Sequence, residues 1–145
     1  MAEGIKDKVA IVGMGCTKFG ELWDKSAEDL IVDAFMYPSA RWSREKKDIE
    51  AAWFGTHLES LNVGRGGTAL ATTLKLPFIP VTRAENFCAS GTEALKGASY
   101  AVASGVCDVA LALGVEKLKD AGYAGLPDYA QINLLGTLGR LIGPN

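Results

Sequence analysis

Three short apolar runs, each ending at a glycine, constrain this chain most: KVAIVGMG at residues 8–15, AAWFG at 51–55 and CDVALALGVE at 107–116. β-Branched and small apolar residues without alternation suit strands covered on both faces, and the closing glycine suits a tight exit from a sheet. Strands one and two are expected at 8–15 and 51–55, and a central strand buried on both faces at 107–116.

Helical periodicity fills the intervals. Ala27, Leu30, Ile31, Ala34 and Phe35 recur at the spacing of one helical face, behind Ser26 and Asp29 in the arrangement of a capping box, and Pro38 stops the pattern. The segment 39–50 is charged and expected to be exposed. TALATTLKL from Thr68 predicts a short helix closed by Pro77 and Pro80. VTRAENF, residues 81–87, is compatible with a third strand, and a helix is expected over about 91–104 with Ala94, Leu95, Ala98, Ala101 and Val102 as its buried stripe. Its many small residues predict an interior helix packed closely on several sides. Strands alternating with helices indicate an α/β layered fold with a mainly parallel sheet. From residue 117 to 145 the chain reads as loop, interrupted near Pro127 and Pro144.

Several function classes drop out early. Fifteen basic and seventeen acidic residues give a net charge of −2, which offers no global attraction to nucleic acid or to an anionic membrane. No apolar stretch reaches the roughly 20 residues a membrane helix needs, and the N-terminus is charged, so a cytoplasmic protein is expected. Cys16, Cys88 and Cys107 are odd in number, widely spaced and without a CxxC pair, which argues against a disulfide framework or a zinc site. IVGMG lacks the third glycine of a dinucleotide fingerprint, and GRGG at 64–67 lacks the Walker pattern. Trp42, Trp53 and Phe54 read as packing aromatics.

The informative window is RAENFCASGTEALKG, which sets Cys88 at a strand-to-helix junction, with Ala89, Ser90 and Gly91 leaving room for a substrate. A thiol at a helix N-terminus meets the positive end of the helix dipole and free backbone N–H groups, which favour the reactive thiolate. From position alone the alternative stands beside it: a small cysteine buried between sheet and helix.

ENFCASG, followed by a small-residue helix and ALALGVEKL, resembles the nucleophile region of the thiolases, most closely the sterol-carrier-protein-type branch. KVAIVGMGCTKFG and KDIEAAWFGT resemble that family's first and second strands, so the resemblance runs over nearly the whole chain. It implies a thiolase-like N-terminal half, with residues 1–115 as the core, 116–145 as the start of the family's loop region, and the C-terminal half absent. Cys88 is then the acyl-accepting nucleophile, supported by Asn86, Ala89, Ser90 and Gly91. Coenzyme A or acyl-CoA is the substrate, with no metal or other cofactor. The reaction is thiolytic cleavage of a 3-ketoacyl-CoA or the reverse Claisen condensation. A homodimer is implied for the intact protein, and an accessory subunit is a further possible partner. One departure is Glu85: many thiolases carry asparagine three residues before the cysteine, whereas here Asn86 follows it. In the family a histidine and a second cysteine come from the C-terminal half. His57 matches neither the place nor the motif of that histidine and reads as a surface or loop residue, while Cys16 and Cys107 read as packing residues. A ketoacyl-synthase-like condensing enzyme and a non-catalytic partner-binding subunit are the alternatives.

Overall fold

The structure, a computed structural model, describes residues 4–36, 45–57 and 66–118. Helix α1 spans Ala27–Met36, strand β1 Ala51–Gly55, helix α2 Thr68–Leu74, strand β2 Val81–Ala84, helix α3 Ser90–Ala103 and strand β3 Ala110–Gly114. All strand pairing is parallel, in the order β2-β1-β3, with Ala52 opposite Val81 and Ala51 opposite Ala110. The fold is therefore α/β with a parallel sheet, as the alternation of runs predicted.

Pleating sorts the side chains of β1. Ala52 and Phe54 point to one face, where they join Ala27 and Ile31 of α1 and Leu70 and Leu74 of α2 in the main core. Ala51 and Trp53 point to the other, against Ala101 and Val102 of α3 and Cys107. Helices thus cover both faces, and β1 is the central strand, with Phe54 fully buried.

Local chemistry explains the helix starts. Asp29 Oδ2 accepts from the Ser26 amide at 2.9 Å and the Asp29 amide donates to Ser26 Oγ at 3.1 Å, the reciprocal capping box read from the sequence. The Ser26 amide, then its hydroxyl, hold the Asp29 carboxyl below the usual carboxylate range. Helix α2 ends where Lys75 turns left-handed, at φ 51°, ahead of Pro77.

Other expectations need correction. Residues 8–15 form no strand: only Gly15 makes an isolated bridge, and Ile11, Val12 and Met14 are exposed. An apolar run becomes a strand only when a ladder receives it, and the described three-stranded sheet does not include this one as a strand. For the same reason β3 is an outer strand of the described sheet, only partly covered, rather than a central one. Strand β2 stops at Ala84 instead of reaching Phe87. Helix α3 buries one face, Ser90, Ala94, Ala98 and Ala101, while Leu95 and Tyr100 are exposed, so it is not interior on several sides among the described residues. Small residues do bring that one face close: a Cβ on Gly97 would lie 2.5 Å from Trp53 Nε1. The stretch read as exposed before β1 holds a 3₁₀ turn at Lys46–Asp48 and the buried Ile49. Trp42, Gly64, Arg65 and the segment 119–145 lie outside the described residues.

Candidate active site

Parallel α/β sheets present their ligand-binding loops at the carboxyl ends of the strands, and here that end gathers the polar residues. Thr56 and His57 follow β1, Glu85 to Cys88 follow β2, and Glu116 follows β3. Two side chains tie the three strand ends together. Arg83 Nη2 donates to the carbonyls of Thr56 at 2.9 Å and His57 at 3.3 Å. Glu116 Oε1 accepts from the Thr56 hydroxyl at 3.1 Å and from the His57 amide.

After β2 the chain turns sharply. Phe87 adopts φ 47°, a left-handed conformation that costs a residue with a Cβ, and begins a 3₁₀ turn over Phe87–Ala89 that runs into α3. Cys88 sits in that turn and is exposed among the described residues. Ser90 stitches the turn: its hydroxyl accepts from the Asn86 amide at 2.8 Å and donates to the Phe87 carbonyl at 2.8 Å, while its side chain is almost wholly covered. Ala89 donates its amide to the Asn86 carbonyl at 2.9 Å. In the first turn of α3, Lys96 chiefly holds the Glu93 carboxyl below the usual range. At Gly91 a Cβ would meet nothing within 4 Å, so the approach to Cys88 from that side is open. Asn86, Cys88 and Ala89 thus lie in the turn, and Ser90 and Gly91 open the helix that follows it.

The seat of this turn is Gly55, where a Cβ would stand 2.7 Å from the Ser90 carbonyl oxygen and 3.1 Å from the Gly91 nitrogen. Both are backbone atoms, so an added methyl must push α3 away from β1. Gly55→Ala should cost about 1–3 kcal/mol of stability, as overpacking does. Urea unfolding measures that loss, and alkylation of Cys88 should change along with it.

His57 lies in the loop after β1, as the sequence reading allowed, but is largely covered rather than on the surface. Its side chain is only 16% exposed, its Nδ1 lies 2.9 Å from Glu85 Oε1, and its ring stacks at a tilt on Phe87 with centroids 4.7 Å apart. Nε2 is buried without a hydrogen-bond partner. No local pattern announces this, because Glu85 and His57 meet only once β1 and β2 pair. Cys16 is exposed, against expectation, and donates to the Thr17 carbonyl; Cys107 is buried, as expected, and burial pushes its thiol up.

Two surface hollows, about 300 and 320 Å3, open beside Leu22, one reaching Cys16 and Asp33, the other Trp23 and Glu116. Neither is lined by Cys88. Among the described residues no His, Cys, Asp and Glu side chains are grouped to hold a metal, and no helix is long and apolar enough to cross a membrane.

Residues 9–134 match the family model described as the N-terminal domain of thiolase. An acetyl-CoA acetyltransferase of Methanocaldococcus jannaschii is 45% identical over 114 residues, which cover 77% of this chain and 29% of that protein. An acetyl-CoA acetyltransferase of Methanothermobacter thermautotrophicus is 40% identical over 114 residues, 77% of this chain and 30% of that protein. Sterol carrier protein 2 of Bos taurus is 29% identical over 116 residues, 79% of this chain and 21% of that protein. The chain thus spans about three-tenths of the length of the acetyltransferases it matches.

Proposed function

Because the chain belongs to the thiolase family through its N-terminal domain, we propose that it supplies the nucleophile half of an acyl-CoA C-acyltransferase, with Cys88 as the acyl-accepting thiol. The observation that carries this reading is the exposed Cys88 held in a strained turn at the start of α3, at the carboxyl end of a parallel sheet.

The chemistry follows from covalent catalysis. The Cys88 thiolate attacks the 3-keto carbonyl of a 3-ketoacyl-CoA; the new S–C bond forms at C3, the C2–C3 bond breaks, and the released C2 carbanion of the shortened acyl-CoA takes a proton. The thiolate of coenzyme A then attacks the Cys88 thioester, releasing a new acyl-CoA and restoring the cysteine. In the reverse sense an acyl-CoA loads Cys88 with loss of coenzyme A, and the carbanion of a second acyl-CoA resolves it. Developing negative charge on the carbonyl oxygen needs hydrogen-bond donors, and the first backbone N–H groups of α3 lie beside Cys88 as candidates for that role. The resemblance assigns the base histidine and second cysteine to polypeptide beyond these residues, and His57 is engaged with Glu85 instead.

The exposed outward face of α3 (Leu95, Tyr100) and the exposed side chains of Ile11 and Val12 support further polypeptide, and a second subunit, covering this domain in the working enzyme. An acyl-CoA substrate, no metal, and a dimer in the cytoplasm complete the reading. The test is a steady-state assay of acetoacetyl-CoA consumption with coenzyme A as co-substrate. Parallel double-reciprocal lines, the signature of an acyl-enzyme released before the second substrate reacts, are expected. Activity that requires an acyl carrier protein instead would move the assignment to a ketoacyl-synthase-like condensing enzyme.

A further inference from the structure

Phe87 bears a side chain and yet stands at φ 47°, directly before Cys88. Such a residue persists only where its surroundings over-determine it. Both of its backbone groups are held. Its carbonyl accepts from Ser90 Oγ, and its amide donates to Glu85 Oε1 at 2.8 Å. That carboxylate oxygen is also the one that faces His57 Nδ1 at 2.9 Å, and the imidazole ring lies on the Phe87 ring. A glutamate two residues before the amide it binds has three rotatable side-chain bonds, so it holds that amide only if something fixes its carboxylate. His57 does so, and its own backbone is pinned at both ends by Glu116 and Arg83.

We propose that His57 and Glu85 are a positioning pair that keeps Phe87 left-handed and thereby fixes where the Cys88 thiol stands at the start of α3. Glu85, the departure from the asparagine common in thiolases, acquires a role: it and the histidine after β1 work as one device across two strands. Released from the pair, Phe87 relaxes toward ordinary backbone angles and the thiol leaves the exposed stance that this turn gives it at the start of α3. The inference rests on the reading of Cys88 as the acyl acceptor. Its test, however, uses iodoacetamide and no coenzyme A, so that a failed pair and a failed nucleophile assignment are separable.

The full chain is pulsed with iodoacetamide at neutral pH and the modification of each cysteine is quantified by peptide mass. Exposed Cys16 is the internal standard, and buried Cys107 reports unfolding. Glu85→Ala should lower the Cys88-to-Cys16 rate ratio by about tenfold, toward the low end of what a strained non-glycine residue implies, with Cys107 still protected. Glu85→Gln, which keeps an oxygen acceptor for both N–H groups, should stay within about twofold of the parent, and His57→Ala should fall between the two. An unchanged ratio in Glu85→Ala, or a loss in Glu85→Gln as large as in Glu85→Ala, overturns the proposal. If Glu85→Ala unmasks Cys107, the comparison is made in a Phe87→Gly chain, where glycine adopts positive φ unaided. There, removing Glu85 must leave the ratio unchanged, and a tenfold fall in that background contradicts the pair.

Discussion

Cys88→Ala is expected to abolish acyl capture and to lower acyl transfer by the complete enzyme by about 10⁴-fold or more, the scale on which a covalent nucleophile is lost. Cys88→Ser should do nearly as badly, since a hydroxyl beside the same amides is a far weaker nucleophile at neutral pH. What makes this diagnostic is its contrast with stability. Cys88 is exposed, so either substitution should leave the urea midpoint within about 0.5 kcal/mol of the parent. Cys16→Ala, equally exposed, should leave both activity and stability unchanged. A Cys88→Ala protein that still transfers acyl groups would end the assignment.

The second large effect belongs to the core. Phe54 is fully buried in the central strand and packs among Ile31, Leu70 and Leu74 from two helices. Phe54→Ala removes most of a ring from a site that those helices cannot collapse into. The expected loss is about 3–5 kcal/mol. Against the roughly 5–15 kcal/mol that keeps an ordinary domain folded, that leaves the chain at the edge of unfolding. Urea denaturation followed by circular dichroism measures it, and Phe54→Leu should recover a good part of the loss. A midpoint for Phe54→Ala within about 1 kcal/mol of the parent would mean that the main core lies elsewhere.

The start of helix α1 was legible because its capping chemistry is local: Ser26 and Asp29 are three apart and need nothing else to meet. Strand β1 was legible for a related reason, since AAWFG is bounded by charge on one side and by glycine on the other. The run at 8–15 carries the same apolar signal and forms no strand, and the outward face of α3 leaves Leu95 exposed, because periodicity assigns a residue to a face without saying what covers that face. At the site, the strand-to-helix junction at Cys88 was readable from the sequence, while its role as nucleophile rests on the thiolase resemblance. The left-handed Phe87 was not readable, since a bulky aromatic gives no hint of positive φ. Nor was the His57–Glu85 contact, which joins positions on two strands and depends on their register.

One measurement bears on the central claim most directly: intact-mass spectrometry of the protein after incubation with acetyl-CoA, followed by peptide mapping of the modified cysteine. An acetyl adduct on Cys88, absent from Cys16 and Cys107 and discharged by free coenzyme A, is the predicted result. An adduct confined to another cysteine, or a complete and active enzyme that never carries acyl on Cys88, would contradict it.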